Sequence, residues 1–283
     1  MPVNYLNSVK QLMAKKERLD KILFEKGFFE TKSKAQAAIM AGDVKINGEL
    51  ITKAGTLFFI DEKTQIDIKS MPYVSRGGFK LEKALQEFGI DLADKICLDA
   101  GASTGGFTDC MLQNGAKKVY AVDVGYGQIA WKLRNDERVK IIERINIRNC
   151  SFKDIYSENE EIAQFCAMDL SFISIKKVIE NVLSLLGEKK EIVALIKPQF
   201  EAGKDEVGKN GVIKDKIIHI KVIKEIIEYV YSLDLSVINL TYSPIKGPAG
   251  NIEYLIYFAN NTINKNNLSV ESIVNNAFDY LNK

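Results

Sequence analysis

From Lys95 onward the chain alternates short apolar runs with intervals long enough to hold a helix, and this rhythm narrows the fold more than any other feature. The runs are Ile96 to Leu98, Val119 to Val122, Val139 to Ile142, Phe165 to Met168, Ile192 to Ile196, Val237 to Leu240 and Ile252 to Phe258. A strand with one wet face alternates apolar and polar residues. These runs are continuously apolar, the pattern of strands covered on both faces. The chain therefore reads as α/β, a parallel sheet with helices on each side. The last interval, Ser243-Pro244-Ile245-Lys246-Gly247-Pro248-Ala249-Gly250, is too poor in helix formers to be a crossover, so the final strand is expected to run antiparallel.

The first run leads into Asp99-Ala100-Gly101-Ala102-Ser103-Thr104-Gly105-Gly106-Phe107, which reads as a strand end, a glycine-rich turn and a helix start. Glycines there allow close backbone approach, and the helix start offers unpaired amides to a nucleotide-shaped ligand. A dinucleotide fingerprint would place a second glycine at Ser103, which disfavours a hydride-transfer enzyme. Asp123 ends the second run, 22 positions after Gly101, where nucleotide-binding sheets place an acid on ribose hydroxyls. Glycine turn and spaced acid together are a stronger signal than either alone, and capping of the next helix by Asp123 would not exclude the ligand role. Asp169 and Lys197 directly follow the fourth and fifth runs, at strand ends outside which ligands of open α/β sheets bind. Glu253 falls inside the seventh run, where a charge is not expected to be buried unpaired. Taken singly, each reads more simply as a surface ion-pair member. So does Lys80, on the amphipathic stretch from Lys80 to Phe88 that ends at Gly89.

With 283 residues, 46% of them hydrophobic, the chain can fill one large domain and one small one. A net charge of +2 does not by itself imply nucleic-acid binding, so any basic surface must come from uneven distribution. Cys97, Cys110, Cys150 and Cys166 lack paired spacing and read as reduced core residues of a cytosolic protein. The only histidine, His219, excludes histidine-rich metal sites, disfavours a histidine-based hydrolase and reads as a polar-face helix residue. No structural metal is expected. No apolar stretch approaches membrane-spanning length and no signal-peptide core is present, so a cytoplasmic protein without a membrane partner is expected.

Residues 1–14 read as a disordered extension, and residues 15–69 have a texture of their own. Arg18 to Phe24 forms a short amphipathic helix stopped by Gly27. Ser33 then caps a second helix, Lys34 to Met40, stopped near Gly42. Val44-Lys45-Ile46 and Glu49-Leu50-Ile51 flank Asn47-Gly48, the signature of a hairpin with a primed turn. Lys15 to Lys34 holds seven basic residues against four acidic ones, which on charge alone is an ordinary solvated face. The order of elements, with Arg18-Leu19-Asp20, Ser33-Lys34-Ala35-Gln36-Ala37 and Ala41 to Gly48, resembles the small RNA-binding domain of the S-four type. That resemblance makes Arg18, Lys21, Lys32, Ser33, Lys34, Gln36 and Lys45 candidate RNA contacts, of the kind that position a phosphate backbone. Residues 70–74, broken by Pro72, read as a linker and residues 75–259 as the second domain. Residues 260–283 read as a tail, an Asn-rich stretch from Asn260 to Asn267 followed by a short helix through Ile273, Val274, Phe278 and Leu281.

Several segments in order resemble the TlyA family, bacterial ribosomal RNA 2′-O-methyltransferases with an FtsJ-like catalytic domain. They are Ser75 to Leu81, Asp99 to Phe107, Ala121 to Gln128, Asp169 to Ser174, Lys197-Pro198-Gln199-Phe200-Glu201 and Gly250 to Tyr254, and the likeness covers roughly Lys16 to Ala259. It implies a Rossmann-like seven-stranded methyltransferase sheet, S-adenosylmethionine as cofactor, ribosomal RNA or ribosomal subunits as partner and cytidine ribose as target. The family's Lys-Asp-Lys-Glu tetrad falls on Lys80, Asp169, Lys197 and Glu253. Lys197 is expected to be the central member, acting as base or orienting the hydroxyl oxygen, with the two carboxylates balancing the lysines, and the sequence does not decide which lysine takes the proton. Asp99, Gly101, Ala102, Ser103 and Gly105 are expected around the methionine end of the cofactor, Asp123 on its ribose and Asn146 near its adenine. Lys246, in the loop before Glu253, is a candidate for RNA phosphate. Members of the family often carry the name haemolysin, so a membrane-damaging protein is one competing reading, and a catalytically inactive ribosome-binding factor is another. The lack of a long apolar span weighs against the first, and the presence of all four tetrad residues against the second.

Overall fold

A computed structural model of the chain describes residues 16–29, 31–61, 64–69, 71–260 and 268–282. The expected extension at 1–14, Ser70 of the expected linker and residues 261–267 of the Asn-rich stretch lie outside the described residues. The chain divides into two compact units, Met1–Pro72 and Tyr73–Lys283.

In the first unit the order is β1 (Glu17–Arg18), α1 (Leu19–Glu25), α2 (Lys32–Met40), β2 (Val44–Ile46), β3 (Glu49–Leu50), β4 (Leu57–Phe58) and β5 (Ile66–Ile68). β1 pairs with β4, and β2 lies between β3 and β5, all antiparallel. Asn47 and Gly48 both take left-handed backbone, φ 51° and 82°, as the primed turn requires. Leu19 and Leu23 of α1 meet Ala35 and Ile39 of α2 over Val44 and Ile46, a small core built from one face of each helix. Two expected boundaries move. α1 starts at Leu19 because Arg18 is drawn into β1. α2 is capped by Thr31, whose backbone is extended and whose Oγ1 accepts the Lys34 N–H at 3.2 Å, so Ser33 lies within the first turn rather than capping it.

The second unit runs α3 (Gly77–Phe88), β6 (Ile96–Ala100), α4 (Gly106–Gln113), β7 (Lys118–Asp123), α5 (Trp131–Arg134), β8 (Val139–Glu143), α6 (Phe152–Ile155), β9 (Phe165–Met168), α7 (Ile179–Ser184), β10 (Glu191–Ile196), α8 (Pro198–Glu201), α9 (Lys216–Ser232), β11 (Ser236–Tyr242), β12 (Tyr254–Ala259) and α10 (Val270–Leu281). Seven strands form one sheet in the order β8-β7-β6-β9-β10-β12-β11. β6 to β10 pair in parallel, while β12 is antiparallel to both of its neighbours, as the helix-poor interval before it predicts.

Successive strand residues point to opposite faces, so a continuously apolar run is buried twice. Leu98, Ala100, Ile192, Ala194 and Ile196 pack with Val182, Ile223, Ile226 and Val274 on one face. Cys97, Ala121, Val193 and Leu195 pack with Leu81, Leu85 and Met111 on the other. The four cysteines are buried and unpaired. Two crossovers are thinner than the spacing predicts. Only α5 joins β7 to β8, and a 3₁₀ turn at Ile147–Asn149 plus α6 joins β8 to β9.

His219 is a correction to the polar-face expectation, because it is fully buried. Its Nε2 lies 3.1 Å from the Ile213 carbonyl and its Nδ1 lies 2.9 Å from the Tyr254 hydroxyl. A carbonyl only accepts, so Nε2 carries the proton and Nδ1 accepts from tyrosine. Burial pushes the imidazole pKa down.

Candidate active site

The turn after β6 is held by the protein before any ligand is considered. The Gly101 and Ala102 N–H groups donate to the Val122 carbonyl at 2.9 and 3.1 Å. Gly101 has φ 90°, and a Cβ there would stand 2.7 Å from the carbonyl oxygen of Asp169. Ser103 takes the left-handed position, φ 51°, where a dinucleotide fingerprint would want glycine. Its N–H donates to Asp123 Oδ2 at 2.8 Å, while Asp123 Oδ1 accepts the Gly125 N–H at 2.6 Å. Gly105 begins α4 against Leu133, and a Cβ on Gly106 would lie 2.3 Å from Ser75 Oγ and 3.0 Å from the Gly78 nitrogen. α3 therefore starts backbone to backbone against α4, which carries Lys80 over the turn. The glycines answer to these internal approaches.

Asp99 lies beneath the turn and lines none of the three cavities at this edge. Its side chain lies on the α4 face of β6, fully buried, where Oδ2 accepts the Thr108 hydroxyl at 2.6 Å. Its Oδ1 has no hydrogen-bond partner, and burial pushes the carboxyl up to about 7.

Lys80, Asp169, Lys197 and Glu253 converge although they come from four separate elements. Lys80 Nζ donates to Glu253 Oε2 at 2.7 Å and lies 3.7 Å from Asp169 Oδ2. Lys197 Nζ lies 2.7 Å from Asp169 Oδ1 and donates to Ser171 Oγ at 2.8 Å. The result is a chain of alternating charge, Glu253, Lys80, Asp169, Lys197, in which Lys80 and Lys197 are each 7% exposed and Glu253 is 0% exposed. Burial pulls the Lys80 ammonium down, but Asp169 and Glu253 outweigh it and hold it above the ordinary lysine range. Burial pushes Glu253 up against the pull of Lys80. Glu253 lies just ahead of β12 rather than inside the strand. Because Tyr254 pairs with Ile196, the antiparallel strand begins beside the end of β10, and that reversal delivers Glu253 to the edge where Lys197 sits.

Two cavities adjoin this chain and share Gly101, Ser103, Asp169 and Ser171. The first, about 310 Å³, is lined by Lys80, Lys197, Arg76, Ala102 and Lys246 among others. The second, about 580 Å³, is lined by Asp123, Gln128, Asn146, Ile147 and Leu170. Asn146 also caps the 3₁₀ turn, accepting the Arg148 N–H at 3.0 Å. Lys246 Nζ donates to Asn282 Oδ1 at 2.8 Å. A third cavity, about 510 Å³ and largely apolar, lies beyond Ser171 between Phe172, Phe200 and Asn251. Ser171, Gln128 and Arg76 were not singled out from the sequence. All three lie in the motif segments, yet nothing in their spacing distinguishes a wall residue from its neighbours.

The candidate RNA contacts of the first unit fall into two groups. Lys32, Ser33, Lys34 and Lys45 are exposed, three of them on the first turn of α2. Arg18, Lys21 and Gln36 are engaged within the unit. Arg18 Nη2 and Gln36 Nε2 donate to the buried Asp20 at 2.7 and 2.6 Å, and Lys21 pairs with Glu17 at 2.5 Å. The Arg18 guanidinium holds the Asp20 carboxyl down at about 2. Asp20 is thus a structural hub that the sequence does not reveal.

A Rossmann-like sheet whose reversed last strand is inserted beside the fifth, with a glycine turn, a strand-end acid and a lysine-carboxylate chain at one edge, defines a methyltransferase. Residues 73–260 match the FtsJ-like methyltransferase family, and residues 17–58 match the S4 domain. The "Putative rRNA methyltransferase YqxC" of Bacillus subtilis is 47% identical over 248 residues, 87% of this chain and 86% of that protein. The "16S/23S rRNA (cytidine-2'-O)-methyltransferase TlyA" of Mycobacterium tuberculosis is 38% identical over 253 residues, 88% of this chain and 92% of that protein. A solved structure described as "Putative hemolysin from Streptococcus thermophilus" superposes with a TM-score of 0.74 at 41% identity, covering 95% of this chain and 98% of that one. The chain belongs to the TlyA family, with an FtsJ-like methyltransferase domain behind an S4 domain. The word hemolysin is a name only. Among the described residues no helix is long and apolar enough to cross a membrane, and no group of histidine, cysteine and acidic side chains could hold a metal ion.

Proposed function

We propose that this chain transfers a methyl group from S-adenosylmethionine to a ribose 2′-oxygen of ribosomal RNA, with cytidine as the target nucleoside and the cytoplasm as the place of action. The observation that carries the reading is the unbroken chain Glu253, Lys80, Asp169, Lys197, three of whose members line the cavity that opens on the glycine turn. The residues present fit the cofactor. Asp123 faces the larger cavity for ribose hydroxyls, Asn146, Ile147 and Leu170 offer an adenine wall, and the turn supplies backbone polar groups. Beneath that turn, Asp99 Oδ1 is a buried carboxyl oxygen with no partner.

Bound there, S-adenosylmethionine supplies an electrophilic methyl on its sulfonium. The protein's task is to hold a ribose hydroxyl in line and to handle its proton, which is worth most when the geometry is set in advance. Lys80 is held as an ammonium by two carboxylates, which leaves Lys197 for the hydroxyl oxygen. Asp169 fixes both lysines from between them, and Ser171 fixes the second bearing of Lys197 Nζ. The exposed Lys32, Lys34 and Lys45 of the S4 domain supply phosphate contacts that position RNA without reading its sequence. The named activity of the Mycobacterium tuberculosis relative supports ribosomal RNA and cytidine as the substrate.

The test is transfer of labelled methyl from S-adenosylmethionine to purified ribosomal subunits that lack the modification, with the 2′-O-methyl positions mapped afterwards. Wild-type protein is expected to label cytidine ribose. Lys197→Ala is expected to bind the cofactor and transfer nothing. Lack of transfer to either subunit by wild-type protein overturns the reading. Liposome leakage without cofactor binding replaces it with the membrane-active alternative.

A further inference from the structure

The segment that follows Asp169, residues 170–175, forms a strap across the site. It walls the 580 Å³ cavity through Leu170, Ser171, Phe172 and Ile173. At its apex Phe172 combines two costly features, 90% exposure and a left-handed backbone with φ 65°. A bulky aromatic residue rarely adopts that conformation unless the surroundings impose it. The constraint comes from one short piece of chain. Lys197, the residue that opens α8, holds the front of the strap through Ser171 Oγ at 2.8 Å. Glu201, the last residue of α8, holds the back. Its Oε2 accepts the Ser174 hydroxyl at 2.5 Å and its Oε1 accepts the Ile175 N–H at 2.8 Å. Between them Phe200 lies against Phe172, ring centroids 5.1 Å apart. Both Glu201 oxygens are thus spent on the strap, within a single turn of the lysine assigned to the reaction.

We propose that Glu201 is a positioning residue for methyl transfer, a clamp that locks the strap 170–175 to the helix beginning at Lys197 and so keeps Asp169, Lys197 and Phe172 at one spacing. This rests on the methyltransferase reading. A carboxylate accepting a backbone amide and a hydroxyl from the same segment fixes that segment's orientation as well as its distance, which a single contact would not do.

The experiment compares Glu201→Ala and Glu201→Gln in the full chain, with hydrogen exchange at the Ile175 amide read beside kcat and KM. Glu201→Ala removes both acceptors. It is expected to speed exchange at Ile175 by about tenfold or more and to lower kcat by about tenfold, with KM for S-adenosylmethionine changed far less. In Glu201→Gln the amide oxygen still accepts from Ile175 and the amide nitrogen donates to Ser174 Oγ, so exchange and kcat are expected to return close to wild type. Val274→Ala, on the buried face of α10, serves as a stability control and is expected to leave kcat unchanged. Wild-type exchange at Ile175 in Glu201→Ala overturns the clamp. So does a kcat loss no larger than that of Val274→Ala at matched melting temperature, or a failure of glutamine to rescue. The exchange measurement needs no substrate, so a wild-type protein that transfers no methyl sinks the functional reading separately.

Discussion

Gly101→Ala tests how tightly the turn is built against the catalytic strand ends. The new methyl group would stand 2.7 Å from the carbonyl oxygen of Asp169 and 3.0 Å from Leu170 Cδ2, on backbone at φ 90°. The leucine tip can rotate away, but the backbone carbonyl cannot. Left-handed backbone costs a residue with a Cβ about 1–2 kcal/mol. Overpacking against a fixed neighbour adds about 1–3 kcal/mol. Together they amount to about 2–5 kcal/mol, a loss on the order of 5–15 °C in melting temperature for a unit of this size. The atom that must yield belongs to the residue holding both lysines, and a shift of about 1 Å at a reacting centre costs roughly 100-fold in rate. Activity is therefore expected to fall further than stability accounts for. Thermal unfolding and methyl transfer at a temperature where both proteins are folded provide the check. A variant that melts within about 1 °C of wild type and transfers at the wild-type rate would refute the close approach.

Other outcomes follow from groups the fold buries. Asp99 keeps its proton in the folded state up to about pH 7, whereas the unfolded carboxyl loses it near 3.8, so this group lowers stability as pH rises between those values, by on the order of 4 kcal/mol. Asp99→Asn should remove that slope in denaturant titrations across pH, and an unchanged slope would contradict its burial as an acid. His219 acts in the opposite sense. Its folded pKa is depressed, so its stabilising contribution is present above the unfolded value of 6.5 and is lost as pH falls through it. His219→Gln is expected to flatten the loss as pH falls below 6.5. Lys80→Met leaves Glu253 buried without its cation and is expected to cost about 3–5 kcal/mol, partly recovered in the Lys80→Met/Glu253→Gln double variant. Strict additivity in that double-mutant cycle would show the pair uncoupled. Lys32→Gln, Lys34→Gln and Lys45→Gln, all on exposed positions, should weaken RNA binding and reduce its dependence on salt by about 0.7–0.9 per charge. An unaltered salt slope would remove those residues from the RNA interface.

The seven strands were legible because burial on both faces leaves a local signature, a run without polar alternation. The reversed last strand was legible too, since the interval before it lacks the residues to build a crossover helix. Helix caps were less so. Thr31 and Ser33 are chemically alike, and the choice between them rests on which backbone is extended. His219 looked like a polar helix residue because one side chain's partners, here Tyr254 and the Ile213 carbonyl, are invisible to helical periodicity. The sequence places Asp99 with the glycine turn but not on a particular face of the sheet. Its side chain falls on the α4 side of the sheet, where the Thr108 hydroxyl donates to it.

What the sequence by itself determined is everything carried by local pattern: two textures of chain, the strand count, the glycine turn, and the residue types able to do the chemistry. The tertiary structure alone decided which of those residues meet. Lys80 and Glu253 are 173 positions apart, and no periodicity connects them. They are neighbours because β12 is inserted beside β10 in reverse, which sets the start of one strand against the end of the other. Gly101 was readable as a glycine that some close approach requires. That the approach is made by the carbonyl of Asp169 depends on the pairing of β6 with β9, a contact between distant segments that only the packed sheet specifies.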